Sequence, residues 1–168
     1  MRQKLIFILL AATLFCCNTK ETSQDSSQHQ SSNEKIFING IWTYRSMLNN
    51  PIDTIPFNDL EFAVATMHLN TFQNDSILGE LDMGSDGKLI MKGKFYYSNN
   101  NISNFELQGD GIKGTGTQGW IYNYYGFIIP KWKQGVNQVD ALVGSVVRSV
   151  DHGQSKAGKV ASFYMVRK

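Results

Sequence analysis

Residues 116–130, GTQGWIYNYYGFIIP, and residues 141–150, ALVGSVVRSV, decide how this chain is read. The first run carries Trp120, Tyr122, Tyr124, Tyr125 and Phe127; the second is small and β-branched. Both suit a pleated, half-buried surface. If residues 120–129 form a strand, Trp120, Tyr122 and Tyr124 share one face, because side chains alternate along a strand. Residues 131–140 between the runs read as a polar loop carrying Trp132. No catalytic motif accompanies them, so the stretch speaks for a fold before it speaks for a reaction.

Working outward, the same texture recurs. Residues 36–46 read as a first strand, with Ile38, Ile41 or Trp42, and Tyr44 available for a core face. Asn49, Asn50, Pro51 and Pro56 punctuate a loop. Residues 59–72 fit two periods: Leu60, Ala63, Val64 and Met67 as a helical face, or Phe62, Val64, Thr66 and His68 in alternation. The strand is favoured, since every later segment is one and the run leads into a turn at 73–75. Residues 76–83 and 88–97 form a hairpin about residues 84–87, where Gly87 is free to take positive φ. After a turn at 98–101, residues 102–108 place Phe105 and Leu107 on one face and Glu106 and Gln108 on the other. Gly109, Asp110 and Gly111 read as a further turn. The long run 112–129 is broken by Gly114, Gly116 and Gly119, as bends or bulges break strands. Asp151, His152 and Gly153 make a turn before a final strand at 160–167. About eight short strands with turns between neighbours predict an all-β fold. The expected form is an eight-stranded antiparallel up-and-down barrel, with a β-sandwich as the alternative. Closure removes exposed edges, and the interior of such a barrel holds side chains or one small ligand.

Of 168 residues, 16 are Lys or Arg and 14 Asp or Glu. Arg2 and Lys4 lie in a basic N-terminal stretch, so the rest is balanced at 14 of each. No basic face of the kind nucleic acids require is indicated. Residues 5–15 are an apolar run too short to span a bilayer, which takes about 20 residues, but suited to a signal peptide. It ends at Cys16 and Cys17, with Leu14 three positions before Cys17. That ending resembles a bacterial lipobox and implies a signal peptide over 1–16 with lipid attachment at Cys17. Residues 17–35, rich in Ser, Gln, Asn and Thr, read as a disordered tether. The expected location is the bacterial cell envelope, with the membrane as a partner through the lipid anchor. Both cysteines belong to this leader, so residues 36–168 form one domain without disulfide or thiolate chemistry. His29, His68 and His152 are too dispersed to suggest a metal site, and no cofactor is expected. Asp53, Asp59, Asp82, Asp86 and Asp110 lack calcium-loop spacing and read as turn residues.

Gly40-Ile41-Trp42 on the first strand resembles the Gly-X-Trp that opens the barrels of the calycin group, lipocalins and avidins. That resemblance implies a basic residue from the last strand over the Trp: Arg167 or Lys168, with Arg148 as a substitute. A lipocalin Thr-Asp-Tyr motif, the helix that lipocalins carry after the barrel and a set of biotin contacts are not found, so it implies topology and not lipid or biotin binding. Trp42-Thr43-Tyr44-Arg45-Ser46, Gly119-Trp120-Ile121-Tyr122-Asn123-Tyr124, Pro130-Lys131-Trp132, Gly135-Val136-Asn137-Gln138, Val143 to Arg148 and Val160 to Phe163 resemble an uncharacterised bacterial β domain that accompanies tyrosinase-like copper proteins. This second resemblance implies an accessory or binding role beside an oxidase. The copper-binding histidine sets of tyrosinases are not present in the sequence.

Each candidate site has a plainer alternative. Trp120, Tyr122 and Tyr124 either line a pocket or pack a core with their polar tips reaching water. Trp132, between Lys131 and Lys133, is a lid, an anchor for a partner or membrane, or a residue tucked beneath its own loop. Arg148, Asp151 and His152 form a polar cluster or simply a turn. Arg45 reads as solvated or ion-paired. The expectation is a non-enzymatic envelope lipoprotein that binds a small apolar or aromatic ligand through Trp120, Tyr122, Tyr124, Trp132 and Arg148. The alternative is a filled barrel that docks an envelope protein through the 130–140 loop. An enzyme ranks third and needs Asp151 and His152 to face an occupied pocket.

Overall fold

The computed structural model describes residues 38–98 and 101–168. The proposed signal peptide, Cys17, the tether with His29, residues 36–37 and Asn99-Asn100 of the expected turn lie outside the described residues.

Eight strands close into an antiparallel barrel in chain order. They are β1 (Gly40–Leu48), β2 (Glu61–Thr71), β3 (Ser76–Asp82), β4 (Lys88–Ser98), β5 (Asn101–Gly111), β6 (Ile121–Ile128), β7 (Ala141–Arg148) and β8 (Val160–Arg167). β8 returns to β1, from Trp42 opposite Arg167 to Leu48 opposite Ala161, which closes the wall and leaves no free edge. The all-β expectation and the barrel are observed, and residues 61–71 form the strand favoured by alternation.

The inner face follows the period of two. Trp42 and Tyr44 on β1, Met67 and Leu69 on β2, Ile77 and Leu81 on β3, and Leu89, Met91 and Phe95 on β4 are all buried. Phe105 and Leu107, Tyr122 and Tyr124, Leu142 and Val146, and Phe163 and Met165 continue the core around β5–β8. Gly126 and Gly144 face one another across β6 and β7. A Cβ on Gly126 would meet Phe105 Cζ at 2.3 Å, and one on Gly144 would meet Phe163 Cζ at 2.7 Å. The bare backbone there is what admits these two rings, whose centroids lie 6.5 Å apart.

Three boundaries differ from the sequence reading. β1 begins at Gly40 rather than 36, because Ile38 turns inward and its carbonyl accepts a hydrogen bond from Trp42 Nε1 at 2.9 Å. Gly109, Asp110 and Gly111 are strand, paired with Met91, Ile90 and Leu89. Their glycines serve close approach and not a turn: a Cβ on Gly111 would fall 1.6 Å from the Thr117 carbonyl oxygen. Residues 112–120 are therefore a loop, with Gly114 and Gly119 at φ near +81° and +82°, and only 121–128 continue as strand.

The antiparallel order gives the barrel two different ends. The start of β1, the 72–75 and 129–140 connections and the end of β8 share one end. Trp42 plugs it, fully buried, with the Arg167 guanidinium carbon 4.7 Å from the ring centroid. Arg167 Nη1 also donates to the Asn39 carbonyl, and Nε to Asp140 Oδ2. The opposite end gathers the 49–60, 83–87, 112–120 and 149–159 connections.

Candidate functional site

The opposite end is open. A recess of about 520 Å³ is lined by residues that include Phe62, Met83, Trp120, Tyr122, Arg148 and His152, with Tyr44 and Tyr124 reaching it from below.

The floor is an aromatic layer. Tyr44 stacks on Phe163 at 5.8 Å, and Tyr124 meets Tyr44 and Phe163 edge-on at 6.2 and 5.9 Å. Burial pushes the Tyr44 and Tyr124 phenols well above the ordinary phenol range, so both are neutral hydrogen-bonding groups. Below this layer the barrel is filled, and above it the recess begins.

The rim is built by two braced loops and one bulge. In the 112–120 loop the buried Thr117 is the brace. Its hydroxyl donates to the Lys88 carbonyl at 2.8 Å and accepts from the Ile112 N–H at 3.1 Å. Trp120 N–H donates to Thr117 O, and Gly111 N–H to Trp120 O, which fixes the Trp120 backbone just before β6. In the 149–159 loop His152 and Ser155 exchange both backbone hydrogen bonds, with Gly153 at φ +54°. Asp151 accepts from Ala157 N–H and Lys156 Nζ, and those contacts hold its carboxyl below the usual carboxylate range. The His152 ring then lies flat on Trp120, centroids 4.1 Å apart and 17° between planes. Phe62 arrives by the bulge. Ser46 pairs with Ala63 and Met47 with Glu61, so Phe62 is the extra residue and turns toward the mouth.

The polar centre is the Tyr122 hydroxyl. Arg148, directly opposite Tyr122 on β7, donates from Nε to Oη at 3.2 Å. His152 Nε2 lies 2.8 Å from the same oxygen. An imidazole protonated on Nδ1 alone accepts from the Tyr122 O–H, and one protonated on Nε2 donates to the Tyr122 oxygen. Burial first, then the neighbouring Arg148, lower the proton affinity of His152, against a smaller opposing pull from Asp151. Arg148 also covers Phe62 and Tyr122, its guanidinium carbon 5.5 and 5.9 Å from their ring centroids.

The structure brings Trp120, Tyr122, Tyr124 and Arg148 together, and His152 of the candidate polar cluster joins them. It does not bring Trp132 to them. Trp132 follows β6 whereas Trp120 precedes it, and eight residues of strand, roughly 25 Å at about 3.3 Å each, stand between. Asp151 joins the cluster through the backbone only, its carboxylate being turned to Lys156 and Ala157. The sequence reading missed Phe62, Tyr44 and Met83 as lining. In the alternation of Phe62, Val64, Thr66 and His68 the last three mark the outer wall, the inner row of β2 is Ala63, Ala65, Met67 and Leu69, and Phe62 leaves the outer row at the bulge. Nothing in the period signals the bulge. A larger depression over Lys92, Lys94, Glu106, Gln108 and Tyr125 lies on the outer wall and lacks convergent polar groups within an apolar cup. Among the described residues no group of three or more His, Cys, Asp or Glu could hold a metal ion.

No protein-family model, curated protein or solved structure matches the chain. The reading of the site rests on its own geometry.

Proposed function

We propose that this protein is a non-enzymatic binding barrel of the bacterial envelope, lipid-anchored through Cys17, whose open end takes a small flat ligand. The observation that carries this reading is the half-filled interior. An aromatic floor of Tyr44, Tyr124 and Phe163 underlies a recess of about 520 Å³ rimmed by Trp120, Tyr122 and Phe62, within the usual size range of small-molecule sites. Trp120, held flat by His152, offers one face for stacking. Arg148 supplies a cation beside it, so a ring bearing an anionic or strongly accepting group fits best. Binding is favoured over catalysis because the polar groups engage one another. Tyr122 joins Arg148 and His152, while the Asp151 carboxylate is held by Lys156 and Ala157, so Asp151 and His152 do not form the acid–base pair that an enzyme reading requires.

The test uses residues 36–168, which contain all eight strands and the whole described core. Titration with an anilinonaphthalene sulfonate, and with an uncharged naphthylamine as the comparison, is followed by probe emission and tryptophan quenching. Saturable one-to-one binding, tighter for the sulfonate and lost in a folded Trp120→Ala variant, is expected. Absence of saturable binding, or binding indifferent to Trp120→Ala, rejects the proposal.

A further inference from the structure

The plugged end carries a second feature. The 129–140 connection displays Trp132 at 74% exposure, Val136 at 82% and Val139 at 60%, with Ile129 and Phe127 exposed beside it. This loop is braced from within. Gln138 Oε1 accepts from the Trp132 N–H and Gln138 Nε2 donates to the Trp132 carbonyl, both at 2.7 Å. Gly135 N–H donates to the same carbonyl at 3.1 Å. A Cβ on Gly135 would lie 2.0 Å from Gln138 Nε2, so the brace requires glycine there. Lys131 ties the loop base to Asp140, which Arg167 also holds. A loop fixed this firmly holds its indole in water instead of tucking it under.

We propose that this loop seats the plugged end of the barrel on an anionic lipid bilayer surface. Two observations choose that occupant. The first is charge. Lys131 and Lys133 flank Trp132, and Arg167 and Lys168 close β8 at the same end; Lys131 and Arg167 share Asp140, so Lys133 and Lys168 are the cations this end turns to a headgroup. An indole among lysines is the pattern that partitions into the headgroup region, where the ring is half-wet and the ammonium groups meet lipid phosphates. The second is direction. The chain comes into the barrel at this end, through Ile38 and Asn39 to Gly40, and Arg167 clasps the Asn39 carbonyl. A membrane anchor before residue 38 brings the chain to the barrel from this end, and the loop then supplies the contact that orients it. In this the inference rests on the lipid-anchor reading given above, although its test does not. The ligand recess, at the other end, then faces away from the bilayer.

Residues 36–168, which lack Cys17, are sedimented with vesicles of phosphatidylglycerol in phosphatidylcholine and with vesicles of phosphatidylcholine alone. Partition into the anionic vesicles is expected, weaker into neutral ones and reduced by salt. Trp132→Ala should lower it by about tenfold or more, the factor that withholding one large side chain from burial carries. Lys133→Gln with Lys168→Gln, which leaves the Lys131–Asp140 tie in place, should remove the preference for anionic lipid. Ile52→Ser with Phe57→Ser, exposed apolar residues of the opposite end, should change nothing. With brominated lipid, emission should be quenched more strongly in Trp120→Phe, which keeps Trp132, than in Trp132→Phe, the buried Trp42 being common to both. Failure of the folded domain to partition, or partition indifferent to Trp132→Ala, overturns the proposal. So does self-association that Trp132→Ala abolishes, which would assign the loop to a second copy. Probe binding at the recess, measured in the same Trp132→Ala protein, separates a failure here from a failure of the ligand-binding reading.

Discussion

Removing one oxygen from the mouth should loosen it measurably. Tyr122→Phe keeps the ring among Trp120, Phe62 and the Arg148 guanidinium, at 6.3, 6.4 and 5.9 Å, and deletes only Oη. That atom serves Arg148 and His152 at 3.2 and 2.8 Å from a residue only 7% exposed. A hydrogen bond to a charged partner contributes about 1.5–3 kcal/mol and a neutral one about 0.5–1.5 kcal/mol. Both partners lie at the open end, where water can replace the lost oxygen, so the combined loss is discounted to about 1–2 kcal/mol. With a urea dependence of about 2 kcal/mol/M, the middle of the range for small domains, the midpoint of unfolding should fall by roughly 0.5–1 M. Double-mutant cycles with Arg148→Met and His152→Asn should each return a coupling of about 0.5–1 kcal/mol. A midpoint moved by less than about 0.2 M, or energies that simply add, would refute the claim that this hydroxyl organises the mouth.

Acid should disturb the same contact. His152 has its proton affinity lowered in the folded state, so between the unfolded value of about 6.5 and the lower folded value the unfolded chain binds more protons. The stability linked to neutral His152 is then complete above the unfolded value and is lost as the pH falls through the folded one. In a Trp132→Phe background, Trp120 emission should drop as the stacked imidazole charges, with a midpoint below about 6.5 that His152→Asn removes; a midpoint above that contradicts the assignment. Gly126→Ala drives a methyl to 2.3 Å from Phe105 Cζ and should cost about 1–3 kcal/mol, visible as a fall of several degrees in the unfolding temperature. Phe105→Leu in the same chain should recover part of the loss, and an unchanged unfolding temperature in the single variant would show that the ring moves freely.

Period and punctuation made the strands legible. Alternation over 102–108 and 120–129 reads directly as the inner rows Phe105, Leu107 and Tyr122, Tyr124. Glycine was the ambiguous letter. At Gly87 it marks a turn, with φ of +98°, whereas at Gly109 and Gly111 it marks a place where strands and loops crowd. Those two uses look alike until the neighbours are known. The site was legible in part, since Trp120, Tyr122 and Tyr124 share a face by simple parity. Trp132 could not be placed by parity, because its end of the barrel depends on counting strands from one loop to the next. Phe62 was hidden by a one-residue slip that reverses its side, and no composition signal announces such a slip.

The size of the inward residues, and not their polarity, separates a filled barrel from a hollow one. Toward the plugged end the inner rows hold Trp42, Met67, Met91, Phe105, Leu142 and Met165, and no room remains. Toward the open end β2, β7 and β8 carry Ala63, Val146 and Ala161 beside Leu81, Leu89 and Tyr122, while the rings of Trp120 and Phe62 sit on the rim. Hydrophobic alternation is identical in both halves, so a reading based on pattern alone sees one continuous core. The drop in side-chain volume toward the open end on β2 and β8 leaves room for a cup there, while β6 keeps Tyr122 and Tyr124 as its wall and floor. It also separates the two surfaces proposed for this protein: one tryptophan, Trp42, closes the barrel from inside, and one stands at each end, Trp120 at the proposed ligand site and Trp132 at the proposed lipid contact.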